Sequence, residues 1–563
     1  MRAPGQFNPK ELRQIDIVKI YSTKRCLVID DFPEIRGSLT RTLKTFGAKS
    51  VETASDGEEA IRHCSSNRFD IVLCDYNLGV GKDGQQILEE VRYLRVLLMT
   101  SLFVMITGES SREMVLGALE CQPDDYITKP YTQASLKLRL NKAIIRHEAL
   151  LHIKTCISKG DYRKALDYCN DMIIDGHRYA PDCLKIKGQL HFLLKQLKEA
   201  QKVYSTVLGK KPVVWAKLGM SKTLLEMGKL EAAEDMCNEI LEEDSRYIEA
   251  HDMLAEVHTK RNDLVDAQKS IENATRISPK SVLRHRKLAL LSERNHDDET
   301  ALKSHQNSIK WGQNSCHESP QDYFNYARKV SDMVKGETST ESKALVKQAN
   351  TFLDRARKRY TGKPEIQVQA QMVETQIHAS QGNEKKAKES SDKARDMYNN
   401  LPTPAVETSL EFARTLHSMN EEDEARELLA KLAARHEGND GIMQIIDGIT
   451  GEPITAEGKE QASRLTKDGI SSYDEKDYNA AVEVFLEALN TYPKHVGLNL
   501  NLIQTITSEA EAHGFNAKHE RICTRCFKSV GNIGEDHKQH KRYEFLIKQL
   551  EKHYPESLLK KSR

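Results

Sequence analysis

Alanines stand at 165, 200, 233, 267 and 301, so one small residue recurs at steps of 35, 33, 34 and 34. This recurrence constrains the fold more than any other feature of the chain. From about residue 150 onward strand signals vanish and apolar positions take up helical spacing. A small residue at each step lets two antiparallel helices approach closely. Larger side chains fill the gap to the next pair, and proline or glycine ends the second helix. Companion positions recur with the alanines. One unit has Lys187, Gly188, Ala200, Tyr204 and Pro212; another has Leu254, Ala255, Ala267, Ile271, Ala274 and Pro279; a third has Leu288, Ala289 and Ala301. The expectation is a solenoid of about five helix hairpins over 151–310.

This array resembles tetratricopeptide repeats, and Trp215, Leu218 and Gly219 match the opening of that motif. The next segment, LLEMGKLEAAE, sits two residues late, which predicts a longer turn in that hairpin. The pattern decays and returns. Gly382, Ala387 and Ala394 mark one later hairpin, and Phe412, Ala413 and Ala425 another. Gly469, Tyr478, Ala481, Phe485, Ala488 and Pro493 mark the clearest late unit. Breaks are expected near 311–320, 335–342, 396–404 and 436–458, the last rich in glycine and acidic residues and read as a flexible joint. The expected segments are therefore 151–310 (repeats), 320–435 (divergent helical repeats) and 459–555 (a final unit with a helical cap). Such arrays carry a concave face that binds proteins or peptides. The basic clusters Lys210 and Lys211, Lys385, Lys386 and Lys388, and Lys560, Lys561 and Arg563 read as solvated surface.

The first 150 residues follow another rule. Apolar runs at Cys26–Ile29, Ile71–Cys74 and Leu102–Thr107, with weaker strands at Val51–Ala54 and Asp125–Thr128, alternate with amphipathic stretches near 33–46, 57–66, 84–97, 111–121 and 132–148. Five strands alternating with helices imply a doubly wound parallel sheet. Functional groups in such sheets gather at the carboxyl ends of the strands. Asp30, Asp31, Asp75, Thr107 and Lys129 all fall there. Clustered carboxylates repel unless a cation sits among them, and an all-oxygen ligand set favours magnesium over zinc. An aspartate can act as a covalent nucleophile toward a phosphoryl group. A metal and the Lys129 ammonium offset the charge of the transferred oxygens, and Thr107 offers them a hydroxyl. Pro130 is placed to hold a cis peptide that aims Lys129. Cys74 reads as a small buried strand residue.

IDD at 29–31, SDGEEA at 55–60, DIVLCDYNL at 70–78, MITG at 105–108 and DDYITKP at 124–130 resemble the receiver domain of bacterial two-component response regulators. The resemblance covers residues 23–148, after an N-terminal extension of 1–22, and implies a flavodoxin-like fold. It implies that Asp75 accepts a phosphoryl group from a histidine kinase or phosphotransfer protein. Asp31 and Asp75 would ligate Mg2+ with the Asn77 backbone carbonyl, Asp30 acting through water, and Thr107 and Tyr126 would form a switch pair. The chain would then be no enzyme beyond phosphoryl transfer to its own Asp75 and autodephosphorylation. Gly79 stands where many receivers carry proline, which is expected to loosen the loop and alter the phosphoryl lifetime.

Composition bounds the output. The net charge is +1, from 84 basic and 83 acidic side chains, so no global basic excess drives nucleic-acid binding. The longest apolar candidate for a membrane span, Leu94–Gly108, is short and contains Arg95, and the first residues, MRAPGQFNPKELRQ, lack a signal-peptide core. Eleven cysteines without framework spacing point to free thiols in a reducing cytoplasm. Three outputs compete: a regulator that acts by protein binding, with a phosphate sink or constitutive scaffold as its variant; a receiver-controlled enzyme; and a transcriptional regulator. No P-loop, nucleophile elbow or HExxH helix supports the second, and no helix-turn-helix the third. Cys523 and Cys526 with His537 and His540 offer zinc-type ligands. Their flanks read as continuous helix, where cysteines three apart simply share a face.

The last helix of the first domain reads on without a break over 132–158, roughly 40 Å at 1.5 Å per residue. It is expected to couple that domain to the first hairpin.

Overall fold

The computed structural model describes residues 16–108, 120–337, 339–515, 517–531, 533–534 and 537–553. The expected helix at 111–121 and the Lys560–Arg563 cluster lie almost wholly or wholly outside the described residues. The chain divides into two compact units, Met1–Asp322 and Tyr323–Arg563.

In the first unit, β1 (Arg25–Ile29), β2 (Ser50–Ala54), β3 (Ile71–Asp75), β4 (Leu102–Thr107) and β5 (Asp125–Thr128) form a parallel sheet in the order β2-β1-β3-β4-β5. The central strands β1, β3 and β4 read as apolar runs because both faces are covered, whereas the edge strands β2 and β5 are only partly buried. Cys26, Val28, Ile71, Leu73, Val104 and Ile106 pack with Leu39 and Leu43 of α2 (Pro33–Phe46) and with Leu136, Leu140 and Ile144. Leu27, Ile29, Val72, Cys74, Phe103 and Met105 pack on the other side against α3 (Gly57–Ser66) and α4 (Gly84–Tyr93). A short α1 (Ile17–Thr23) precedes the sheet and buries Tyr21 in the first of these layers. Helix α4 ends at Tyr93, short of the expected residue 97, because Arg95 takes a left-handed φ of 56°.

The helix Gln133–Ser158 is continuous over 26 residues. Its first half supplies Leu136, Leu140 and Ile144 to the sheet layer. Its second half supplies Leu150 and Ile153 to a core with Ala165, Cys169, Met172, Cys183 and Leu190. One rigid element is thus shared by two cores. Fully burying each such Leu or Ile stabilises by about 1.5–3 kcal/mol, so neither end frays freely.

Nine consecutive helices follow in the first unit, from Tyr162–Ile174 through Asp298–Gly312. The periodic alanines 165, 200, 233, 267 and 301 are all fully buried. Each lies five residues after a turn residue with left-handed φ: Gly160, Lys195, Gly228, Asn262 and His296. The turn thus repeats in register with the packing position. The turn at Met227–Lys229 has the same three residues between helices as the turns at 194–196 and 261–263, so no longer turn occurs there. Tyr204 explains two small residues at once. A Cβ on Gly188 or Gly219 would stand 2.6 or 2.4 Å from its ring.

The second unit is helical throughout its described residues. The same five-residue relation holds for Gly382 with Ala387, Asn420 with Ala425 and Lys476 with Ala481. Gly469 lies against Phe485, where a Cβ would stand 2.6 Å from the ring. The flexible joint expected at 436–458 is absent. Asp440–Thr450 is a helix capped by Asn439 and closed by Gly451 at a φ of 71°. The buried Asp447 carboxylate accepts from Ile454 N, Thr455 N and Thr455 Oγ1 at 2.8–2.9 Å, fixing the turn into the next helix. Glycines and acidic residues here serve caps and a close turn, which composition alone does not distinguish from a linker. No described helix is long and apolar enough to cross a membrane.

Candidate functional site

Strand register brings the carboxyl ends of β1, β3, β4 and β5 to one edge. Ile29 lies opposite Cys74, Asp75 opposite Ile106, and Thr107 opposite Thr128. Asp30 and Asp31 therefore emerge beside Asp75, and Thr107 closes the neighbouring strand. Carboxylate oxygens of Asp30, Asp31 and Asp75 all lie within 4.8 Å of one another. Lys129 Nζ donates to Asp75 Oδ2 at 3.0 Å and to Asp30 Oδ2 at 3.2 Å. The Lys129–Pro130 peptide is cis.

The site is built closely. Gly84, the first residue of α4, abuts the end of β3: a Cβ there would stand 2.4 Å from the Asp75 carbonyl oxygen and 2.9 Å from Met105 Sδ. Only glycine lets the helix start so near the end of β3. Asp83 caps that helix by accepting from Gln86 N at 2.9 Å. Gly79 has a φ of 73°, which proline cannot adopt, so this turn of the loop is defined by its glycine.

Charge at the centre is unevenly met. Asp30 is 1% exposed and its Oδ1 accepts from Phe32 N at 2.9 Å. Asp31 Oδ1 is buried with no hydrogen-bond partner. Burial raises the Asp75 pKa above the ordinary carboxylate value, and Asp30 adds to it, while Lys129 opposes. Burial acts against the Lys129 charge, yet Asp75 and Asp30 hold its pKa above the ordinary lysine value. One ammonium among three carboxylates leaves a negative centre with an orphaned oxygen, a donor set that fits a hard divalent cation such as Mg2+. Asp30, Asp31 and Asp75 can hold it.

The other expected site residues are placed as follows. Thr107 is 1% exposed at the end of β4. Tyr126 is half-buried on β5 against the core of Cys74 and Met105. Asn77 is exposed, and its side-chain oxygen accepts from Gly79 N at 3.2 Å. Cys74 is fully buried. In the second unit, Cys523 and Cys526 are buried in a core with Phe527, Leu546 and Leu550. His540 Nδ1 is engaged with Ile533 O at 2.8 Å and His537 is exposed. Among the described residues these four do not gather as a ligand set.

Sequence reasoning missed a second layer around the site. Lys280, between two helices of the array, donates to Asp83 Oδ2 at 3.0 Å and to Tyr76 Oη at 3.2 Å. Its ammonium also lies 5.4 Å from the Tyr76 ring centre. Arg284 Nη2 donates to Glu120 Oε1 at 2.6 Å, and its guanidinium takes Asp252 in a bidentate pair at 2.9 and 2.8 Å. Ser278 Oγ donates to Glu120 Oε2 at 2.5 Å. Tyr76 follows Asp75 and Asp83 caps α4, so the array touches the loop that leaves the site. Nothing in the 34-residue pattern marks Lys280 or Arg284 as different from other surface cations.

A doubly wound α/β domain with a carboxylate–ammonium centre at its strand ends, joined to an all-helical array, is what fold and site define. Residues 26–141 match the response regulator receiver domain family. Over 128 residues the chain is 33% identical to the chemotaxis protein CheY-3 of Vibrio cholerae serotype O1, which covers 22% of this chain and 92% of that protein. It is 35% identical over 125 residues to the transcriptional regulatory protein PrrA of Mycobacterium bovis, covering 22% of this chain and 51% of that one. A solved CheY-like receiver domain protein from Methanospirillum hungatei JF-1 is 28% identical, covering 22% of this chain and 96% of that chain at a TM-score of 0.21. Through this N-terminal part the chain belongs to the response regulator receiver family.

Proposed function

We propose that the chain is a phosphorylation-controlled response regulator of a two-component system whose output is protein binding by its helical array. In this reading residues 23–148 are the receiver, 151–310 and 459–555 are tetratricopeptide-type repeats, and 320–435 are divergent ones. Asp75 is the phosphoacceptor. Its carboxylate oxygen attacks phosphorus, the P–N bond to a donor histidine breaks, and the histidine nitrogen leaves with the bond pair. Mg2+, when bound by Asp30, Asp31, Asp75 and the Asn77 carbonyl, supplies charge neutralisation to the phosphoryl oxygens. Lys129 holds the same charge from the other side, and Thr107 gives a hydroxyl. Thr107 and Tyr126 form the switch pair. Histidine kinase or phosphotransfer protein is the donor, and the setting is a reducing cytoplasm, in keeping with eleven free cysteines.

The observation that carries this reading is the convergence of Lys129 on Asp75 and Asp30 beside the orphaned Asp31 oxygen. The contacts from Lys280 and Arg284 favour regulation over a passive phosphate sink, because Lys280 ties the array to the loop after Asp75 and Arg284 ties it to Glu120 in the segment after β4. The test is phosphorylation of the full chain by acetyl phosphate, followed by intact-mass measurement, with and without Mg2+. Wild type should gain one phosphoryl group only with Mg2+, and Asp75→Asn should gain none. Equal labelling of Asp75→Asn would overturn the assignment.

A further inference from the structure

We propose that Glu89, Cys316 and His317 form a zinc site that fastens α4 of the receiver to the loop after the helix Asp298–Gly312. It is separate from the magnesium centre and does not depend on the phosphoacceptor reading. Ligand-capable atoms of these three residues all lie within 4.8 Å of one another, although Cys316 stands 227 positions after Glu89 in sequence. Around a tetrahedral zinc, neighbouring ligand atoms stand about 3.3–3.8 Å apart, so a modest tightening completes the geometry.

The donor set selects the metal. A thiolate, an imidazole and a carboxylate suit zinc, whereas the all-oxygen cluster at Asp75 suits magnesium. Cys121 lies beside the carboxylate ligand, its Sγ donating to Glu89 Oε1 at 3.1 Å. Gln85 Nε2 donates to that same oxygen at 3.3 Å, an outer hydrogen bond of the kind that orients a ligating carboxylate.

The loop is braced to present its ligands. Arg286 pairs bidentately with the buried Asp322 at 2.8 and 2.7 Å and donates to the His317 carbonyl at 2.5 Å. His317 N donates to Ser315 Oγ at 3.1 Å. The His317 ring packs edge-on to Tyr93 of α4, with centres 5.8 Å apart. A bound divalent cation deprotonates a ligating thiol, so Cys316 would enter the site as the thiolate.

The experiment loads the full chain, stripped with chelator, with Zn2+ or Co2+ in the presence of excess Mg2+ to occupy the Asp75 centre. Wild type should retain one zinc per chain through gel filtration, and the cobalt form should show a thiolate-to-cobalt charge-transfer band. The Cys316→Ser, His317→Ala double variant should lose both. Glu89→Gln should weaken zinc by about tenfold or more in chelator competition. Cys523→Ser, Cys526→Ser should change neither. Substoichiometric zinc in wild type, or full zinc and an intact band in the Cys316–His317 variant, would overturn the site. If that variant fails to fold, the wild-type cobalt spectrum decides: a band that persists in Cys523→Ser, Cys526→Ser supports the site, and its absence overturns it.

Discussion

Arg284 Nη2 stands 2.6 Å from Glu120 Oε1, joining the helical array to the segment that follows β4 of the receiver. Both groups are largely withdrawn from water. Arg284 is 8% exposed, and burial raises the Glu120 pKa even though Arg284 and Ser278 oppose it. Removing one partner of such a pair leaves the other buried and uncompensated, at a cost of about 3–5 kcal/mol. Arg284→Met should therefore loosen the contact between array and receiver. Hydrogen exchange should rise in 278–285 and in α4. Glu120→Gln should do less, because it keeps a hydrogen-bonding group for Ser278. Unchanged exchange in Arg284→Met would show that the contact contributes nothing to holding the two parts together.

Lys129 carries a sharper expectation. It is the cation that opposes burial at Asp75. In Lys129→Met, Asp75 loses this counter-charge and its pKa climbs further. Phosphorylation by acetyl phosphate should slow by about a hundredfold, the scale of losing one preorganised charge donor. In the proposed phosphoacceptor role only the ionised Asp75 carboxylate attacks, so the acid limb of the rate–pH profile should move to higher pH. A slower rate with an unmoved acid limb would mean that Lys129 acts on the phosphoryl oxygens alone.

The receiver sheet was legible because strands buried on both faces leave no ambiguity: Cys26–Ile29, Ile71–Cys74 and Leu102–Thr107 can only be central. Their ends then place Asp30, Asp75 and Thr107 together without further information. The array was legible through Ala165 and its successors, since a fully buried position cannot drift. Its turn residues were not. Gly160 and Gly228 look like turn formers, but Lys195 and His296 do the same work in the left-handed region, where their residue type gives no signal. Contacts across long sequence distance were also hidden. Lys280 with Asp83, or Cys316 with Glu89, depend on how the array folds back on the receiver, and no local pattern encodes that. The helix Asp440–Thr450 lies in the glycine- and acid-rich stretch 436–458, a composition that linkers and helix caps share: Gly448 falls within the helix and Gly451 caps it.

His147 makes the first unit acid-sensitive. It is 4% exposed on the shared helix Gln133–Ser158, and burial, with Lys154 and Lys24 nearby, lowers its pKa to about 3. Unfolded, it titrates near its ordinary value of about 6.5. Between these values the unfolded chain binds the extra proton, so the stabilisation is present above about pH 6.5 and is lost as pH falls toward 3. From pH ~7.5 to ~5.5 the loss from this group is about 1.4 kcal/mol. Trp215 and Trp311, the two tryptophans, both lie in the first unit, so urea melts followed by their fluorescence report on it. His147→Gln should flatten the pH dependence by about that amount. An equal slope in the variant would remove His147 from the account.

Lys476 tests the repeated turn. It holds a φ of 63° five residues before the buried Ala481, the position that Gly382 fills with a φ of 68° before Ala387. An L side chain in this region costs about 1–2 kcal/mol, and glycine avoids the clash while giving back part of that through unfolded-chain entropy. Lys476→Gly should therefore raise the stability of the second unit by about 0.5–1 kcal/mol, read as a higher thermal midpoint by circular dichroism. The mirror change, Gly382→Ala, should lower it. Nothing lies within 4 Å of a Cβ built on Gly382, so that loss would come from backbone strain and not from a clash. If both substitutions leave the midpoint unmoved, the left-handed turn is not what sets the hairpin, and the packing of Ala387 and Ala481 alone must do so.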